Sequence, residues 1–228
     1  MKYDLIIVSQ SKGDLIQTTQ NCINTALADG ADVNVILVET GGEIVQYKNV
    51  NQYVLYKGTF CYNRALNEGL QHAKGDVHIL ANNDLIFHPG WSRIGDLMAL
   101  NGYHSASAIN GIQNRFPAGN YVYDGYTISQ ILTGWCIFMD RYCHEKIGKL
   151  DESVVFWYSD DLYALQLQSV GIMHGLFCNI RVDHIASRTL KKQPARIQRL
   201  YEIGEGFKFK IRQRFYADLT RRKSLKVQ

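Results

Sequence analysis

A few acidic residues and one histidine stand where chemistry could be done. Asp84 closes Asn82-Asn83-Asp84, directly after the apolar run Asp76 to Ala81. A carboxylate at a strand end can hold a divalent ion. Such ions take one or two protein carboxylates and fill their shells with phosphate oxygens and water. His184 offers a nitrogen ligand, which suits Mn²⁺ better than Mg²⁺. Asp160 and Asp161 precede the apolar pattern Leu162, Leu165, Leu167, so they fall at a helix N-terminus. A carboxylate there can cap the helix or serve as a general base. The helix dipole is expected to lower its pKa and keep it ionised at neutral pH. Glu39 ends a second apolar run and could accept a hydrogen bond from a nucleotide's base or ribose. Taken singly, each of these residues is as readily explained as a turn, cap or solvated surface group.

The elements that must position them follow from hydrophobic periodicity. Tyr3 to Val8, Val33 to Val38, Gln52 to Tyr56, Asp76 to Ala81 and Trp135 to Met139 read as strands. Gly13 to Ala28, Tyr62 to Ala73 and Asp161 to Val170 read as helices, with apolar residues in phase on one face. Asn101 to Thr127 reads as loops with short strands. The last forty or so residues read as helical, split near Gly204 and Gly206. Strands alternating with helices predict β-α-β units and a mostly parallel sheet. Ligands of such sheets bind beyond the carboxyl ends of the strands. That directs attention to Ser9-Gln10-Ser11, Glu39-Thr40-Gly41 and Asn82-Asn83-Asp84.

With 228 residues, 46% hydrophobic and 20% charged, the chain has ordinary globular composition, which excludes disorder and collagen-like structure. No apolar run reaches the roughly 18 residues of a spanning helix. The N-terminus carries no leader pattern, and the five cysteines have no C-x-x-C spacing. A cytoplasmic protein with free, buried thiols is the expectation. The net charge of +4 conceals a division. Residues 188–228 hold 13 Lys and Arg against 3 Asp and Glu, and the preceding 187 hold 12 against 18. This predicts an acidic domain over 1–187 and a basic helical extension over 188–228. The extension would either meet an anionic partner or dock on the body.

In order along the chain, these pieces resemble a family-2 glycosyltransferase of the GT-A fold. The carriers are Phe60 to Gly69 (FCYNRALNEG), Lys74-Gly75-Asp76, Asn82-Asn83-Asp84 at the D-x-D position, and His88-Pro89-Gly90-Trp91. Further along come Gly134-Trp135-Cys136, Ile147-Gly148-Lys149-Leu150-Asp151-Glu152, Ser159-Asp160-Asp161 and Val182-Asp183-His184. The likeness covers roughly residues 3 to 188. The chain departs from the pattern at Ser9-Gln10-Ser11-Lys12, at Glu39 where the family has aspartate, and at Asn82 and Ser159.

The resemblance implies an α/β GT-A fold and an inverting transfer of a hexosyl or pentosyl group from a nucleoside diphosphate, most simply UDP. It implies Mn²⁺ or Mg²⁺ on Asp84 with His184, and Asp160 as base with Asp161 as cap or alternative. Donor contacts would come from Ser9, Lys12, Glu39, Arg64, Asn67, Asn83 and Asp84. Gly134, Trp135 and Trp157 would lie on the acceptor side.

The extension bears on the acceptor. Phe207, Ile211, Phe215 and Leu219 form one helical stripe, with Lys208, Lys210, Arg212, Arg214, Arg221 and Arg222 off it. Such a helix can lie on an anionic membrane, or bury its stripe and offer its cations to phosphates. The acceptor favoured on charge is nucleic acid, a hydroxylated base in bacteriophage DNA, which would put the enzyme in the host cytoplasm. The alternative is a lipid-linked or polysaccharide acceptor at a membrane surface. A non-catalytic nucleotide-sugar-binding relative and a nucleotidyltransferase are the readings outside this class.

Overall fold

Strand β1 (Lys2–Ser9) lies at the centre of a parallel half-sheet, because its alternating side chains are apolar towards both faces. The computed structural model describes residues 1–41, 44–111, 116–185 and 195–224, with side chains of the last helix from 202 to 222. β1 pairs in parallel with β2 (Asp32–Glu39) on one side and with β4 (Val77–Asn82) on the other; β3 (Gln52–Leu55) extends β2 in parallel. Helices α1 (Asp14–Leu27) and α2 (Tyr62–Leu70) make the crossovers. Leu5, Ile7, Val35, Leu37 and Ile79 pack into one core with Cys22, Ile23 and Trp91. Ile6, Val8, Ile36, Val38 and Leu80 pack into a second core with Ala65, Leu66 and Tyr163. Gly69 lets α2 approach closely, since a Cβ there would sit 2.4 Å from Ile6 Cγ2.

The second half of the sheet is mixed. β5 (Leu85–Phe87), β6 (Ser105–Ile109), β7 (Val122–Asp124), β8 (Cys136–Asp140) and β9 (His174–His184) follow in the chain. β4 pairs antiparallel with β8, β8 antiparallel with β6, and β6 parallel with β9. β5 and β7 both run antiparallel to β9. Helices α3 (Ile94–Asn101), α4 (Arg141–Ile147) and α5 (Ser159–Val170) complete the body. The long β9 and helices α3 and α4 carry no sequence signal as clear as that of the first half.

The described part of the extension forms one continuous helix, α6 (Ala195–Ser224). The expected break at Gly204 and Gly206 does not occur. Gly206 instead makes room for Tyr158, whose Oη lies 3.2 Å from where a Cβ would stand. Of the two alternatives for the apolar stripe, burial against the body is not the one observed for most of it. Glu205 and Tyr216 are buried, and Phe209 and Leu219 pack with Val154 and Leu162, while Phe207, Ile211 and Phe215 are exposed.

All five cysteines are free and buried. Among the described residues, no helix is long and apolar enough to cross a membrane.

Candidate active site

The parallel register aligns Ser9 with Glu39 and Val8 with Asn82, so the polar strand ends gather along one edge of the sheet. This is the edge at which the sequence places the ligand.

Asp84 follows β4 and directly precedes β5. Pairing of β5 with β9 sets Leu85 opposite His184. Asp84 is thereby brought to His184, with Oδ1 and Nε2 3.0 Å apart. The Trp135 ring stacks on the His184 imidazole, with centroids 5.6 Å apart and planes 13° from parallel. Tyr62, at the start of α2, donates its hydroxyl to Asn82 Oδ1 at 2.7 Å.

Asp160 lies in the first turn of α5, half-buried, facing Gly134. A Cβ on Gly134 would stand 2.7 Å from Asp160 Cβ and 2.9 Å from its Oδ2. The expected lowering of its pKa is overturned. Burial, and then the neighbouring Asp161 carboxylate, push it up to about 6. Desolvation outweighs the helix terminus because protein atoms take the place of water around part of the carboxylate, which disfavours its charged form. Asp161 is likewise raised, chiefly by burial. Nor is Asp161 the cap: Tyr158 occupies the N-cap position in a left-handed conformation, and no side chain caps α5.

Three residues connect the two centres. Gly134 touches Asp160, and its neighbour Trp135 stacks on the histidine that pairs with Asp84. Tyr62 feels both charges. Burial is the main reason its phenol is harder to ionise, and Asp84 and Asp160 both add to the effect. Sequence reasoning did not single out Tyr62 as a residue between the two centres; its signal was its place within the FCYNRALNEG segment, at the start of α2.

The donor-side residues divide by what they touch. Glu39 is buried, and its carboxylate accepts the backbone N–H of Ser11 at 3.0 Å and of Gly41 at 2.7 Å, and the Ser11 hydroxyl. It ties together the turns after β1 and β2, so its oxygens are already engaged within the protein. Ser9 shares a hydrogen bond with Thr19 Oγ1 at 3.1 Å, and Asn83 donates to the same oxygen at 2.9 Å. Lys12 is exposed. Arg64 is occupied by Glu152 at 2.7 Å, and Asn67 clamps the backbone of Leu150 with two bonds of 2.9 Å. Arg64 and Asn67 therefore brace the segment before α5.

That segment is also held from α6. Buried Glu205 accepts the backbone N–H groups of Val155, Phe156 and Trp157, the last two at 3.0 and 2.7 Å. The Tyr158 ring stacks on Phe209 at 5.1 Å. Arg212 and Tyr216 both donate to Asp151 Oδ2, at 2.6 and 2.9 Å. Trp157, expected on the acceptor side, is thus fixed through its backbone.

The donor set at Asp84 suits a borderline-hard divalent ion: one carboxylate oxygen and one imidazole nitrogen converge at a strand end. No cluster of three or more acidic, histidine or cysteine ligands exists among the described residues. Phosphate oxygens and water could complete the shell of an ion held by the pair.

The fold is that of the GT-A class: a Rossmann-like parallel half-sheet continued by a mixed half, with the acidic strand end at β4. No family model and no curated protein sequence matches the chain. Among solved structures, the chain is similar to GalNAc-T7 determined with UDP, GalNAc and Mn²⁺, at 13% identity and a TM-score of 0.59. The alignment covers 82% of this chain and 44% of GalNAc-T7, so the chain spans less than half the length of that protein.

Proposed function

We propose that this protein is an inverting glycosyltransferase that moves a sugar from a nucleoside diphosphate to a hydroxyl group. One observation carries the reading. Gly134 and Trp135 join Asp160 on one side to the Asp84–His184 pair on the other. Sugar transfer needs those two functions close together: countercharge for the departing diphosphate and a base for the acceptor.

Asp84 and His184 would hold Mn²⁺ or Mg²⁺, which supplies positive charge to the diphosphate oxygens. The similarity to a structure containing UDP and Mn²⁺ supports a UDP-sugar as the donor. Asp160, with its pKa near 6, is mostly ionised at neutral pH and still basic enough to accept a proton. It takes the acceptor hydroxyl's proton as that oxygen bonds to the anomeric carbon. The bond from that carbon to the diphosphate breaks in the same displacement, which inverts the configuration. Ser9, Asn83 and Lys12 border the donor side; Trp135 and Trp157 border the acceptor side.

The test is a donor screen read by release of nucleoside diphosphate, with and without Mn²⁺. Acceptors should include hydroxymethylated DNA and lipid-linked and glycan hydroxyls. Mn²⁺-dependent release with one acceptor class is expected. Asp84→Ala should reduce Mn²⁺-dependent UDP binding at least tenfold in calorimetry. Wild-type UDP affinity in that variant, or no release with any donor, would overturn the reading.

A further inference from the structure

The outward face of α6 combines an apolar centre with basic edges. An α-helix turns about 100° per residue, so residues four apart advance only about 40° around it. Ile203, Phe207, Ile211 and Phe215 therefore share one arc, and they are 64, 69, 54 and 46% exposed. Lys210 lies just outside one edge of this arc and Lys208 just outside the other, while Arg214 and Arg222 fall within it near those edges; all four are exposed. Asp218 is the acid on the arc among the described residues. The opposite side of α6 is occupied by Glu205, Phe209, Arg212 and Tyr216, which face the body. The exposed stripe is thus not the helix's packing face.

The chemistry of the arc selects among occupants. A second copy docking α6 on α6 would bring like charges together at the rims. A nucleic acid would satisfy the cations, but its phosphate surface gives four large apolar side chains nothing to enter. A lipid monolayer with anionic headgroups matches both features: acyl chains below for the stripe, phosphates at headgroup level for the lysines and arginines.

We propose that α6 docks this protein on an anionic lipid surface, lying in the interface with Ile203, Phe207, Ile211 and Phe215 inserted. Docking is independent of the sugar-transfer reading, because lipid binding needs no turnover.

The experiment is co-sedimentation of the full chain with vesicles of phosphatidylcholine alone or containing one-third phosphatidylglycerol, at low and high salt. Binding at least tenfold stronger to the anionic vesicles, and weakened by salt, is expected. Phe207→Ser with Ile211→Ser should reduce it at least tenfold with Tm unchanged, since both sites are solvent-exposed. Lys210→Glu with Arg214→Glu should reduce it selectively at low salt. Equal binding to both vesicle types, or undiminished binding by the Ser variant, would overturn the proposal. So would a dimer that the Ser variant dissolves, or duplex DNA binding that outcompetes the vesicles.

Discussion

Gly134 lies flush against Asp160, and a single methyl group on Gly134 would overlap Asp160's Cβ and carboxylate. The absence of a side chain at one residue therefore sets the position of the candidate base. Gly134→Ala should displace Asp160 or the start of α5. Overpacking of this kind costs about 1–3 kcal/mol. Transfer is expected to fall at least tenfold, with UDP affinity within twofold of wild type. Unchanged turnover would separate Gly134 from the reacting centre.

Asp160 should trade stability for function. Its carboxyl has an ordinary value of 3.8 and a folded value of about 6. A raised folded value favours the neutral form, so the folded state loses stability as pH climbs from about 4 to 6. Above that the loss is complete, at most about 3 kcal/mol for a shift of this size. Asp160→Asn cannot ionise. It should raise Tm at pH 7.5 relative to wild type, and the gain should vanish near pH 4. Transfer should be lost with UDP binding retained. In the wild-type enzyme, turnover should rise with pH through about 6 and then level. A variant less stable than wild type at pH 7.5 would contradict the assigned environment.

Glu205 should act on the loop before α5. Its carboxylate takes three consecutive backbone N–H groups. Glu205→Ala leaves those partly buried donors without their acceptor, at up to about 1–3 kcal/mol for each one that water does not reach. Glu205→Gln keeps an acceptor oxygen and should recover part of the loss. If the loop positions Asp160, kcat should fall in both variants, more in Ala, with the KM for donor little changed. Hydrogen exchange at Val155 to Trp157 should accelerate in parallel. Faster exchange with unaltered kcat would make the contact purely structural.

Asp4 should govern acid stability at the opposite end of the strands. Burial alone would raise its carboxyl. Hydrogen bonds from His78, Asn34 and the Gly75 N–H outweigh burial and bring it to about 2. A depressed folded value adds stability above the unfolded value, and this is lost as pH falls from about 4 towards 2. Asp4→Asn should therefore lower Tm at pH 7 and lose less stability than wild type on acidification. Parallel Tm-against-pH curves for the two proteins would refute this.

The sequence by itself determined the parallel half of the sheet, α1, α2 and α5, and the polar strand ends at Ser9, Glu39 and Asn82. Those follow from local periodicity, in which apolar side chains alternate in a strand and recur every three to four residues in a helix. Asp84 and Asp160 were also legible, because each sits at the boundary of a periodic segment. The tertiary structure decided what these residues meet. His184 reaches Asp84 through the pairing of β5 with β9, a hundred residues apart in sequence, and no local pattern encodes that register. Arg64 and Glu39 looked available for a ligand, but Arg64 is engaged by Glu152, and the Glu39 carboxylate by Ser11 and Gly41. The pKa of Asp160 moved opposite to the direction its helix position implied, since desolvation depends on the atoms that surround a group in space. The face that α6 buries was settled by Glu205 and Tyr216 finding polar partners on the body. The more apolar stripe was left facing outward.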